Sequence, residues 1–362
     1  MKKDTSVELA RLLACFIVIG VHTKLSVIGD CVGDFSRLYI CCILADGVAV
    51  FWMITGFFLF QNTSYRKVLR HTWKRVGIPL IAFSLFVFYF RDWLIGGETL
   101  AASLCHTPAE YLEVGKKLLT WTNPIGHTNH LWYLYVYILL MLIFPVLKGL
   151  VSYLDAKPVR IKYFLAASLV ILILNDISCN QLCEFSHHAI NGLIPAAMEV
   201  IWGYYIYRYR ERFRDRRYIL LSLGAFFGLN AIRGVLQMQK FEMANPDNYL
   251  LYWHSLFGVV CAVCILIFCF SVVGNREKIN RVICFFASYT FPVYLIHIVV
   301  RDALRRAGLP SGLYEGISGV FPDFFWEILY TVIIVALVFV ISFVIAVVLR
   351  RVCRLFSSFR SA

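Results

Sequence analysis

Ten stretches of the chain stay apolar for long enough to cross about 30 Å of hydrocarbon. They lie at about 7–27, 37–60, 78–95, 130–148, 162–178, 189–207, 218–238, 249–273, 280–300 and 325–349, separated by short polar or charged runs. The pattern predicts an all-α polytopic membrane protein of about ten transmembrane helices. No Gly/Ser linker, low-complexity tract, internal repeat or soluble appendage interrupts it, so residues 1–362 read as one membrane domain. The longest stretch between spans, about 96–129, contains PAEYLEVGKKLLTW (108–121). There Tyr111, Leu112, Leu118, Leu119 and Trp121 alternate with Glu110, Glu113, Lys116 and Lys117, as in a short helix lying in a membrane interface.

Composition agrees with this pattern. Hydrophobic residues make up 60% of the 362 positions and charged ones only 16%, with a mean hydropathy of +0.72. A water-soluble globule with an ordinary polar surface is excluded. The net charge of +13 is a matter of topology, because short cytoplasmic loops collect Lys and Arg. With the N-terminus inside and ten crossings, 24 of the 35 basic residues fall on the inner side. They cluster at Lys2–Lys3, Arg66–Arg75, Lys148–Lys162, Arg208–Arg217, Arg276–Arg281 and Arg350–Arg360. Ten lie outside or at outer ends, where acids predominate. Both termini are therefore expected in the cytoplasm, and no nucleic-acid partner is needed to explain the charge. Met1-Lys2-Lys3 before an apolar run imitates a signal peptide, but Arg11 interrupts the run and no small-residue cleavage site follows, so it reads as a retained first helix. The twelve cysteines match no zinc or haem spacing, and no metal site is expected. Most sit within helices as packing residues; Cys31, Cys105, Cys179 and Cys183 fall in outer loops, where a disulfide or free thiols are both open readings.

Against this apolar background the polar positions stand out. In SVELARLLACFIVIGVH, Arg11 and His22 are eleven residues apart, about three helical turns, and so share a face. A charge inside a bilayer costs roughly 2.5–3.5 kcal/mol even on insertion scales, so such groups face a bundle interior and a partner. Glu8, three residues before Arg11, is one candidate partner, and Glu199, deep in the sixth stretch, is another. Toward the outer side lie His22, Asp46, His130, Asn175, Asp176, Asn230, Arg233, His254 and His297. Their common depth predicts a polar chamber open to the exterior, in which a neutral histidine can exchange a proton with a hydroxyl substrate. On the inner side, YRKVLRHTWKRV (65–76) reads as a basic loop running into GIPL at the start of the third helix, a seat for phosphates.

Taken together, these blocks resemble the bacterial acyltransferase-3 family of integral membrane acyltransferases. Arg11 and His22 match its motif of arginine, ten residues, histidine. GVAVFWMITGFFLF (47–60) is similar to an aromatic run followed by a hydroxyl residue and glycine, here Thr55-Gly56. KRVGIPL (74–80), NHLWYL (129–134) and SYTFPVYLIH (288–297) resemble further family blocks in order. The resemblance implies transfer of an acyl group, commonly acetyl, from cytoplasmic acyl-CoA to a hydroxyl of an extracytoplasmic glycan or lipid-linked saccharide, by a multi-pass protein of the bacterial cytoplasmic membrane. Acetyl-CoA would be a co-substrate, with no permanently bound cofactor. By motif position, His22 and Arg11 take the catalytic role. Arg70, Lys74 and Arg75 stand where the donor's phosphates would rest. Asp46, His130, Trp132, Glu199, Tyr294 and His297 are expected to line the chamber or contact the acceptor. A secondary transporter is the alternative; it would show two similar halves with interrupted helices, which the sequence lacks.

Overall fold

A computed structural model describes residues 4–24, 35–120, 128–177, 192–242, 255–274, 276–317 and 323–359. Every regular element among them is helical. In chain order these are α1 (Thr5–Lys24), α2 (Phe35–Ile43), α3 (Gly47–Leu59), α4 (Tyr65–Thr72), α5 (Ile78–Arg91), α6 (Leu100–Leu104), α7 (Pro108–Thr120), α8 (Trp132–Leu142), α9 (Phe144–Asp155), α10 (Pro158–Ile177), α11 (Leu193–Arg208), α12 (Arg217–Glu242), α13 (Leu256–Val272), α14 (Glu277–Ala287), α15 (Thr290–Arg306), α16 (Leu309–Ile317) and α17 (Asp323–Phe359). Each of the ten apolar stretches thus contains helix. Among the described residues, five helical stretches are long and apolar enough to cross a membrane, or seven if each of two bent pairs is one span. The helices α11 and α13 have 16 and 17 residues, which helps place this count below the expected ten.

The structure departs from the sequence reading where helices bend or continue. The stretches at 130–148 and 280–300 are not straight: α8 meets α9 at 66°, and α14 meets α15 at 55°. In both cases a proline, Pro145 or Pro292, sits in the first turn of the second helix, where it cannot donate the backbone hydrogen bond that would join the two. The basic run at 65–76 is not a loop. It is α4 followed by a π-helical turn, Trp73–Gly77, that leads without a break into α5, and 65–96 reads as one span. The Ile78 N–H bonds back to the Trp73 carbonyl, which lets the chain absorb the missing N–H of Pro79 without ending the helix.

The helices form two compact units, one built from 1–50, 212–247 and 261–362 and the other from 51–211 and 248–260. In the first unit α1 is central, packed against α2, α14, α15 and α17. Its Ala10, Ala14, Cys15, Val18 and Ile19 are buried, and Phe16 stacks on Phe339 of α17. Gly308, at φ +69°, ends α15 in a left-handed turn that glycine adopts without strain, and α16 folds back against α15 and α17. In the second unit α8 packs against α4, the π turn, α9 and α11. A cluster of Val151, Leu154, Ile201 and Tyr205 ties α9 to α11. Asp155 fastens the same contact, accepting from Arg208 at 2.7 Å and from the hydroxyls of Tyr204 and Tyr205.

Gly56 of the Thr55-Gly56 block has a steric role here. A Cβ at Gly56 would stand 1.9 Å from the Val200 carbonyl oxygen, and one at Gly203 would stand 2.1 Å from the Met53 carbonyl oxygen. The two glycines bring the backbones of α3 and α11 into direct contact, the use of small residues expected between helices in lipid. Gly56→Ala and Gly203→Ala should each lower stability by about 1–3 kcal/mol through overpacking. Gly224→Ala, where an added Cβ meets nothing within 4 Å, should not. Thermal unfolding of the three variants in one detergent tests this, and equal melting of all three would contradict the close contact.

Candidate active site

The first helix carries its charge locally. The Arg11 guanidinium donates to both carboxylate oxygens of Glu8, at 2.9 and 2.8 Å, one turn away on the same face. Of the two partners considered for Arg11, Glu8 is in place. Glu199 is buried in α11 of the second unit.

At the other end of α1 lies His22, whose ring centroid is 5.2 Å from that of His297 on α15. The SYTFPVYLIH block delivers the second histidine. Pro292 opens α15 after the bend, and the register then places Tyr294, His297 and Arg301 at three- and four-residue intervals along one face. His297 is fully buried, and its Nδ1 lies 2.6 Å from the Tyr294 carbonyl oxygen. Because a carbonyl only accepts, this Nδ1 carries the proton, and the lone pair of the neutral ring is on Nε2. The Tyr294 and His297 rings are 5.8 Å apart.

Arg301, which the sequence reading passed over, locks this arrangement. It donates to the His22 carbonyl oxygen at 2.9 Å and to Asp302 Oδ1 from both Nε and a terminal nitrogen. The His22 carbonyl is in the last turn of α1, where carbonyls have no partner within the helix and a cation is electrostatically favoured. Arg301 therefore fixes the end of α1 against α15 and holds the two imidazoles side by side. An arginine at the end of a span that the distribution of Lys and Arg assigns to the exterior runs against the usual charge bias, and that was the available signal. Two adjacent imidazoles, one with its tautomer set by the backbone, can accept a proton from a hydroxyl and pass it on.

The other candidates are placed as follows. Asp46 pairs with Arg233 of α12 at 3.0 Å, and both side chains are essentially inaccessible, at 1% and 0% relative exposure. Asn230, one turn before Arg233, is buried with them and donates to Cys261 Sγ. Gly234 lies against Phe35 and Tyr39, which lets α12 approach α2 closely enough for the pair to form. Asp46, Asn230 and Arg233 were expected on the walls of an open chamber; the structure instead buries them in the α2–α12 contact, since opposite charges in an apolar bundle satisfy each other. In the second unit, His130 is buried edge-on to Phe83, while Trp132 begins α8. Arg70, Lys74 and Arg75 are exposed on α4 and the π turn and make no ion pair among the described residues. Cys31, Cys179, Cys183, His254 and the side chains of Asn175 and Asp176 lie outside the described residues, as does Trp121 of the 108–121 stretch, whose helix α7 ends at Thr120. Cys105 is a free, exposed thiol.

The helical bundle and its apolar spans define an integral membrane protein, and comparison with known families supplies the chemistry. The sequence model of a family described as an acyltransferase domain matches residues 4–349. The chain belongs to this acyltransferase-3 family and is a multi-pass membrane acyltransferase. Comparisons with curated proteins and with solved structures return no match.

The buried ion pair gives a direct test of the packing around the site. Asp46→Ala leaves the Arg233 charge buried without its carboxylate and should cost about 3–5 kcal/mol, whereas adding Arg233→Leu should recover most of the loss. Thermal unfolding of the single and double variants measures both. A single variant as stable as the parent, or a double variant no better than the single, would contradict the pairing.

Proposed function

We propose that the protein transfers an acetyl group from cytoplasmic acetyl-CoA to a hydroxyl of an extracytoplasmic saccharide. The observation that carries this reading is the His22–His297 pair, held by Arg301 at the end of α1 that the distribution of Lys and Arg assigns to the exterior. His22 is the general base. The acceptor oxygen bonds to the thioester carbonyl carbon, the carbon–sulfur bond breaks, and the hydroxyl proton passes through His22 to the departing thiolate. His297 and Tyr294 orient His22 and the acceptor. Arg11, neutralised by Glu8, lies on the same helix some three turns toward the donor side and steadies the pantetheine arm. The phosphates of coenzyme A rest on Arg70, Lys74 and Arg75, a run of exposed cations on a helix whose buried positions are Val68 and Thr72. His130, Trp132 and Glu199 serve the acceptor side in this reading, and the bacterial cytoplasmic membrane is its setting.

The discriminating experiment uses radiolabelled acetyl-CoA and total surface glycan from the cells that produce the protein, with parent and variants in the same detergent. His22→Ala should keep its affinity for acetyl-CoA and lose about 10²–10⁴-fold in single-turnover transfer, the usual effect of removing a general base. The triple variant Arg70→Gln, Lys74→Gln, Arg75→Gln should do the reverse, weakening acetyl-CoA binding more than it slows the bound complex. Undiminished transfer by the histidine variant would refute its role, and unchanged donor affinity in the triple variant would leave those cations a purely topological part.

A further inference from the structure

Beside the histidine pair the first unit contains a cavity of about 370 Å³, walled by α1, α15, α16 and α17. Thr23 follows His22 directly and lines it, as do Arg301, Arg305, Ser311, Tyr314 and Tyr330. The volume falls within the range of small-molecule sites, and its walls combine aromatic faces, hydroxyls and two guanidinium groups. One acid, Glu315, also lines it.

Three observations bear on what this cavity takes. The first is charge placement. Arg301, Arg305 and Arg306 stand at the end of α15 that the overall distribution of Lys and Arg puts outside, where basic residues are uncommon; Arg305 and Arg306 are in its last turn, where the helix dipole favours a cation. The second is spacing. Arg301 and Arg305 are four residues apart on one helical face, a like-charge juxtaposition that destabilises a helix unless an anion lies between them. Arg301 spends part of its charge on Asp302, whereas Arg305 makes no ion pair among the described residues. The third is the rigidity of the opposite wall. Arg37 of α2 donates to the Tyr314 hydroxyl, and its charge is matched by Glu327, a carboxylate of 1% relative exposure, at 2.9 Å. Tyr314 packs edge-on to Trp326 and Tyr330, with ring centroids 4.7 and 5.4 Å away. An ion pair with a buried carboxylate and a partly exposed arginine thus holds one tyrosine at the cavity wall, and sites held this way lose little freedom on binding.

We infer that this cavity is an acceptor subsite for an anionic group, gripped between Arg305 and Arg301 while the sugar ring lies along Tyr314 and Tyr330 and presents its hydroxyl toward His22. The inference rests on the proposed transfer to a saccharide at this end of the bundle, and makes the acceptor an acidic one. Two sources supply such an anion: a carboxylate on the sugar itself, or the diphosphate of a lipid-linked saccharide.

The test measures binding of three probes to the purified full-length protein: a uronate-containing tetrasaccharide, its carboxyl-reduced counterpart and a prenyl-diphosphate-linked disaccharide. Arg305→Gln and Arg305→Lys are compared with the parent. A charged hydrogen bond of this kind corresponds to roughly 10- to 100-fold in affinity. The expected result is that one anionic probe binds the parent at least tenfold more tightly than the neutral one, that Arg305→Gln removes the difference and that Arg305→Lys retains part of it. Preference for the uronate identifies the sugar carboxylate, and preference for the prenyl diphosphate identifies the lipid-linked form. Equal binding of charged and neutral probes, or a preference that survives Arg305→Gln, overturns the inference while transfer from acetyl-CoA to surface glycan persists. Loss of that transfer in the parent protein would overturn the saccharide reading itself.

Discussion

The constraint on which this structure depends is the cost of charge in an apolar bundle. Each ionised group placed between helices must be matched at short range, because neither lipid nor packed side chains can solvate it. The first unit meets this requirement in four separate places. Glu8 holds Arg11 within one helix, Asp46 in the α2–α3 connection holds Arg233 of α12, Glu327 holds Arg37 across α17 and α2, and Asp302 shares Arg301 with the His22 carbonyl. Two of these matches, Glu327 with Arg37 and Asp302 with Arg301, join or orient helices that meet at the histidine pair or at the cavity beside it. The same pairing that makes the charges tolerable therefore also sets where α1, α2, α15 and α17 stand.

This pairing separates two kinds of polar residue that look alike in a hydropathy profile. Asp46 and Arg233 neutralise each other out of reach of solvent and act as a cross-brace. His22 and His297 need no such neutralisation when uncharged, so a neutral imidazole can be buried between helices and still exchange a proton. Arg301 belongs to both kinds. It anchors the last turn of α1 and faces the cavity, so the position of His22 and the character of the neighbouring site depend on one side chain.

Much of this was legible in the chain. Apolar runs announced the helices, and the spacing of Glu8, Arg11 and His22 announced both a local ion pair and a shared face. The Thr55-Gly56 block was recognisable as a motif, but its reason, backbone contact between α3 and α11, needs the distance from Gly56 to Val200. Other features were hidden because they join distant residues. Nothing in the neighbourhood of Asp46 points to Arg233, nearly two hundred positions later, and Arg37, Tyr314 and Glu327 form one cluster from three separate segments. The basic run at 65–76 was misread for a local reason: Gly77 and Pro79 mark an ordinary helix start, but a π turn allows the helix to pass through them.

The central claim is that an acyl group presented on the side of the N-terminus is received by a hydroxyl at the His22 end of the bundle. Its most direct test is transfer across a sealed bilayer. The protein is reconstituted in one orientation in proteoliposomes, radiolabelled acetyl-CoA is placed on the side of the N-terminus, and surface glycan from the producing cells is placed only on the other. The account predicts label in the glycan in this arrangement and none when donor and acceptor exchange sides. Label appearing only when both are on the same side would contradict it.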